Sequence, residues 1–160
     1  MNLLRNTFVL AVIVVVLWSL NMGAYAQAPF ARTTVSIETA GGTHDFNVEL
    51  ALDPAQQSQG LMFRRELAVD AGMLFFHQRE RVATMWMRNT FVPLDMLFVA
   101  TDGRIVHIVE RTVPQSLATI SAGRPVRAVL EVNAGTVRRL AIKSGDRLIH
   151  PLFGNAEERR

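Results

Sequence analysis

Two strictly alternating runs around a glycine pair constrain this chain more than any other feature. From Thr33 to Thr39, Val35 and Ile37 fall on one side, and Thr34, Ser36 and Glu38 on the other. From Thr43 to Leu50, His44, Phe46, Val48 and Leu50 alternate with Asp45, Asn47 and Glu49. Successive strand side chains point to opposite faces, so each run is a strand with one face buried. Ala40-Gly41-Gly42 supplies the turn, and the unit reads as a β-hairpin.

Further strands are expected at Met73 to Phe76, Val82 to Arg88, Asp95 to Ala100, Arg104 to Glu110, Val126 to Asn133 and Arg147 to Ile149. Asp102-Gly103 makes a second hairpin turn, and Val113 to Pro125 a longer loop. Helix signals are few. Asp53-Pro54 places a good N-cap before a proline suited to the first helical position, and that helix is expected to reach Leu61 or Met62. Gly60 inside it costs about 1 kcal/mol unless close packing requires it. Ala134 to Ile142 is the second helix. Many short strands with two brief helices exclude a doubly wound parallel sheet. They predict a mainly β fold: an antiparallel sandwich, jelly-roll-like, or a squashed barrel.

The first 26 residues read as a secretory signal. Arg5 is the positive n-region, Phe8 to Leu20 the apolar h-region, and Ala24-Tyr25-Ala26 an A-x-A site with cleavage before Gln27. The strongly apolar part, Phe8 to Trp18, is shorter than the roughly 20 residues that span a bilayer comfortably. Membrane attachment is expected only through an uncleaved leader. Residues 27–32 are then a flexible lead-in, 33–150 a single β-rich domain and 151–160 a polar tail. The mature chain is expected to be exported, periplasmic where there are two membranes and extracellular otherwise. The chain has no cysteine, which removes a lipoprotein start, disulfides, zinc–thiolate sites and a cysteine nucleophile. Its formal charge is +3 with scattered arginines, so no nucleic-acid footprint is present.

Three phrases carry a family likeness. They are Gly60-Leu61-Met62-Phe63-Arg64 followed by Gly72-Met73-Leu74-Phe75, then Trp86-Met87-Arg88-Asn89-Thr90 with Pro93-Leu94-Asp95, then Val129-Leu130-Glu131-Val132-Asn133-Ala134-Gly135. In this order, over roughly Val35 to Ile149, the chain resembles the family catalogued as domain of unknown function one-nine-two. The family phrase usually has lysine where this chain has Arg88, a change of donor geometry at constant charge. The resemblance implies a β-rich, jelly-roll-like domain with small helical insertions, often exported, and no established activity.

Candidate chemistry gathers in the same phrases. A strand over Val82 to Arg88 would be covered on both sides and would bury Trp86. Asp95 shares a face with Leu97 and Val99, and a buried carboxylate needs partners, with Arg88, Asn89 and Thr90 nearest in sequence. In the strand ending at Asn133, Glu131 and Asn133 share a face with Arg127 and Val129. If Arg88, Asp95, Glu131 and Asn133 converge, they form a satisfied network, with Asn133 as the second helix's N-cap, or a site. The leading functional reading is a non-enzymatic module. Trp86, Arg88, Asn89, Thr90, Asp95, Glu131 and Asn133 would then bind a small polar ligand or an envelope component. The alternative is a hydrolase using Asp95 and Glu131 as a carboxylate pair on a glycan or similar substrate.

The third reading is a soft-metal site built from Met62, Met73, Met85, Met87 and Met96, against methionine as core filler. His44, His77, His107 and His150 are dispersed, and no serine sits in a G-x-S-x-G context. No metal ligand set is read, and no cofactor is expected.

Overall fold

The tight turn at Ala40-Gly41 sets the register of an N-terminal hairpin in the computed structural model, which describes residues 30–156. Strands β1 (Ala31–Thr39) and β2 (Gly42–Ala51) pair from Thr39 opposite Gly42 to Ala31 opposite Leu50. The expected alternation is realised: Val35, Ile37, Phe46 and Val48 are buried on one face. Helix α1 (Pro54–Gln59) follows. Asp53 caps it as expected, its carboxylate accepting from the Gln56 N–H at 2.8 Å while the Gln56 side chain accepts from the Leu52 N–H at 2.9 Å. The helix stops at Gly60, whose φ is +48°, and a side chain there would press on the Phe75 ring. Close packing therefore explains this glycine, and it also ends the helix earlier than expected.

Strands β3 (Ala71–Val82), β4 (Leu94–Val99), β5 (Ile105–Val109) and β6 (Pro125–Asn133) come next. The short helix α2 (Thr136–Arg139), strand β7 (Arg147–Ile149) and a 3₁₀ turn at Pro151–Phe153 complete the order. The seven strands form one sheet, β5-β4-β6-β3-β2-β1-β7. All neighbours run antiparallel except β2 and β3, whose parallel pairing requires the crossover that carries α1. The mainly β expectation with two short helices is borne out. The sheet is mixed and curled rather than split into two layers, which places it nearest the squashed barrel.

The curl brings the two edges together at one end. Arg104 bridges Arg147, the Ile105 N–H donates to the Asp146 carbonyl at 2.8 Å, and the Leu148 N–H to the Gly103 carbonyl at 2.8 Å. The Asn155 amide staples this seam, donating to the carbonyls of Asp102 (3.2 Å) and Leu148 (2.9 Å). Phe153 packs edge-on against Phe76 at 5.4 Å. Residues 151–156 therefore belong to the domain instead of forming a free tail. At Gly103, φ is +82° and a Cβ would run into the Leu148 carbonyl and the Asn155 amide. Gly103→Ala is expected to destabilise by about 2–3 kcal/mol, through left-handed strain added to a backbone clash. A urea melt checks it, and an unchanged midpoint would show that the seam gives way freely.

Apolar residues fill both faces of the central strands. One core layer contains Leu74, Leu97, Val99, Leu130 and Val132 with Val35, Ile37, Phe46 and Val48. The other contains Met73, Phe75, Met87, Met96, Phe98 and Val129. Coverage on both sides is why β4 and the first half of β3 read as continuous apolar runs rather than alternating ones.

Two strand expectations are corrected. First, β3 runs on to Val82 through a polar stretch. Between Phe76 and Arg81 it advances five residues while β6 advances from Ala128 back to Val126, a wide bulge. Second, Val82 to Arg88 is not a strand. The chain leaves the sheet after Val82, and within this stretch only Met85 forms a β-bridge, to Ile120 in the loop before β6.

Candidate functional site

Strand register decides the fate of the proposed carboxylate pair. On β4 and β6, Asp95 stands opposite Val132 and Met96 opposite Glu131. Residues directly opposite share a face, so Asp95 and Glu131 lie on opposite faces of the sheet. They cannot act together on one bond. Nor does Asp95 pair with Arg88. It is fully buried, and its carboxylate accepts from two backbone donors, the N–H of Arg111 at 2.8 Å and that of Val137 at 2.9 Å. The second donor belongs to the first turn of α2. That helix begins at Gly135, which offers no side-chain cap, so Asp95 supplies the cap from across the fold. Asn133 does not cap α2. Its amide donates to the carbonyls of Leu67 (3.0 Å) and Ala68 (2.8 Å) and ties the 60–70 connection to the end of β6.

Glu131 occupies the other face, in a row that crosses the sheet. Glu49 on β2 stands beside Met73 on β3, Met73 beside Glu131, and Glu131 beside Met96. Among the described residues the Glu131 carboxyl has no hydrogen-bond or ionic partner, and the residue is 4% exposed. Burial alone pushes its pKa up to about 8. Glu49, two strands away, behaves oppositely. Burial pushes its carboxyl up, but the forked pairing with Arg64 and the nearby Arg32 guanidinium outweigh it and hold the group below its ordinary value.

That Glu49–Arg64 fork fixes the loop after α1, and the loop meets the Trp86 phrase. The Phe63 N–H donates to the Asn89 carbonyl at 2.8 Å. Both residues are left-handed, with φ of +64° and +53°. Asn89 also approaches the Met62 sulfur at 4.0 Å. Thr90 is buried, its hydroxyl donating to the Arg88 carbonyl at 3.2 Å. The interlocked loops present an aromatic surface. Trp86 is 47% exposed with the Arg88 guanidinium 5.5 Å over its ring, Phe63 is 66% exposed, and Phe91 packs on Phe63 at 6.4 Å. The expected burial of Trp86 is thus not found. Its alternation with Met87 holds, but only the Ala83 and Met87 side turns inward. Beside Trp86 lies a niche of about 50 Å³ between Gly60, Met62, Phe75, Met85 and Thr90. Such a volume admits a side-chain tip or a water but no small molecule, for which pockets of about 300 Å³ or more are usual.

Of the seven residues expected to share a site, Trp86, Arg88, Asn89 and Thr90 do lie together, while Asp95, Glu131 and Asn133 go to three other places. Phe63, Phe91 and the Glu49–Arg64 fork are additions that sequence reasoning did not make. The signal for Phe63 and Arg64 lay in the Gly60-to-Arg64 phrase, but nothing local joins it to Trp86. Three of the five methionines, Met73, Met87 and Met96, are fully buried, and the Met87 sulfur accepts from the Thr112 hydroxyl at 3.1 Å.

A single curled, mixed sheet with two small helices and an aromatic–guanidinium surface on its connecting loops defines the class. Within it the chain belongs to the DUF192 family, described as an uncharacterized ACR, whose model matches residues 35–150. It is similar to two proteins of known structure. One, from Sinorhizobium meliloti and described as a candidate transcription regulator, shares 52% identity at a TM-score of 0.77, covering 79% of this chain and 99% of that one. The other, a protein of unknown function from Novosphingobium aromaticivorans, shares 39% identity at a TM-score of 0.74, covering 81% and 98%. No curated protein matches the chain.

Proposed function

We propose that this protein is an exported cell-envelope module that binds a glycan strand on the surface formed by Trp86, Arg88, Phe63 and Phe91. The carrying observation is the left-handed pair Phe63 and Asn89. A non-glycine residue in that region costs about 1–3 kcal/mol. Leaving a phenylalanine in water forgoes a further 1.5–3 kcal/mol or so of burial. An arrangement that is costly twice over, and clamped by a hydrogen bond, serves something outside the fold. Half-exposed rings with one guanidinium suit stacking against sugar faces, and an extended ligand needs no enclosed pocket.

Export rests on Arg5, Phe8 to Leu20 and the Ala24-Tyr25-Ala26 site, which lie outside the described residues. Cleavage before Gln27 would leave every described strand intact. The description of the Sinorhizobium protein suggests DNA binding instead. Among the described residues the helices, of six and four residues, are too short to serve as a recognition helix, which favours the glycan reading.

With Trp18 removed in the leader, Trp86 is the only tryptophan of the mature chain, so its fluorescence reports the proposed surface directly. Titration with soluble peptidoglycan fragments is expected to shift that emission. Trp86→Ala and Phe63→Ala should lose retention on insoluble peptidoglycan, with stability reduced by about 1 kcal/mol at most for Trp86→Ala, because half its ring is already in water. Retention undiminished in both variants, or no retention of the wild type, would sink the proposal. Intact-mass analysis of the secreted protein should find Gln27 at its start, and a full-length mass in the membrane would overturn export.

A further inference from the structure

The β3 bulge builds a second feature, separate from the aromatic surface. It carries His77, Gln78, Arg79 and Glu80 out of the ladder, which resumes at Arg81 opposite Val126. With Arg81, Leu52, Pro54 and Gln57 they line an open cleft of about 470 Å³. Gln57 anchors the α1 side, its amide donating to the carbonyls of Phe76 (3.0 Å) and Ala51 (3.2 Å). Arg127 on β6 lies behind the bulge and braces it. Its guanidinium donates to the Gln78 carbonyl at 2.7 Å and lies 4.8 Å over the Phe76 ring, so it is fixed before any ligand arrives.

Among the described residues, none of Arg79, Arg81 and Arg127 pairs with a carboxylate. Glu80, the only acid lining the cleft, instead accepts from the Thr101 N–H at 3.2 Å. His77 is 5% exposed, and its buried Nε2 has no hydrogen-bond partner. Buried polar nitrogens are normally satisfied, and one left open at the wall of a cleft whose arginines lack carboxylate partners marks a place prepared for an acceptor. The remaining lining, Leu52, Pro54 and Gln57, is uncharged.

We propose that this cleft binds a small molecule through an oxyanion group, held by Arg79 and Arg81 with Arg127 and His77 behind them. Phosphate and carboxylate share the required chemistry, a compact anion with several acceptor oxygens. The volume leaves room for a small body attached to that group.

Within this fold His77 is neutral at pH 7. Burial first, then the charges of Arg81 and Arg127, lower its pKa to about 4. An anion between these groups opposes the guanidinium field and favours the imidazolium, so the pKa rises on binding. A group whose pKa is higher in the complex makes binding tighten as pH falls through that higher value toward the lower one of the free protein.

The test follows the His77 ring signal by NMR across pH, in the intact mature protein, with inorganic phosphate in one arm and citrate in the other. The apparent pKa is expected to rise by about one unit or more in the arm carrying the preferred group. Arg81→Gln, at an exposed position, should weaken that anion about tenfold. Arg104→Gln, which alters an exposed arginine already paired with Asp102, should leave it unchanged. A His77 signal unmoved by both anions would overturn the proposal. So would equal weakening by Arg104→Gln, which would mean general surface charge and no built site.

Discussion

Glu131→Gln should stabilise this protein at pH 9 by about 5 kcal/mol and leave it nearly unchanged at pH 4. The magnitude is the distance from the ordinary 4.5 to about 8, at about 1.4 kcal/mol per unit. The sign follows from which form the fold prefers. The folded pKa lies above the unfolded one, so the fold favours the protonated carboxyl. Its contribution is complete below pH 4.5 and is lost progressively as pH rises through 8. The substituted amide has no proton to lose. Two histidines slope the other way. His77 and His150 are lowered chiefly by burial, so their contribution is complete above about 6.5 and falls away in acid. The difference between wild type and variant cancels them and isolates Glu131. Urea melts from pH 4 to 9 decide it. Parallel curves for the two proteins would mean that Glu131 ionises freely in the fold.

Glu131 also shows what was legible in the sequence. Period two placed Glu131 and Asn133 on one face of β6, and Asp95 with Leu97 and Val99 on one face of β4, and both assignments hold. Which face of β4 lies beside which face of β6 depends on a register between strands some thirty residues apart. A slip of one residue exchanges the faces, and no local pattern in two doubly covered strands fixes it. The carboxylate pair failed at that step.

Trp86 failed for a different reason. Its neighbours are as apolar in a loop that presents rings to solvent as in a buried strand, and composition does not separate the two. Only the departure of the chain from the sheet after Val82 does so. The hairpin and the α1 cap were legible because their causes are local: a glycine turn with two alternating flanks, and Asp53 three residues before Gln56.

Asp95→Asn should cost about 3–4 kcal/mol, the other large effect. A pairing with Arg88, the nearest cation in sequence, would assign that cost to a stranded guanidinium. The structure gives a different cause. The two carboxylate oxygens each accept from a backbone N–H, Arg111 after β5 and Val137 at the start of α2. Asparagine keeps one acceptor oxygen and turns an NH₂ toward the other donor. One charge-assisted bond becomes neutral, and the other is replaced by two donors facing each other with water excluded. The Val137 amide has no substitute partner, because Gly135 carries no side chain to cap the helix. Amide exchange at Val137 and Arg111 should therefore quicken more than the global loss of stability explains. The two accounts part at Arg88. If Arg88 were the partner of Asp95, Arg88→Gln would be as damaging as the aspartate change. With Arg88 exposed over the Trp86 ring, its stability should stay within about 0.5 kcal/mol of wild type. A large loss in Arg88→Gln, or near-wild-type stability in Asp95→Asn, would remove Asp95 from its place as the cap of α2.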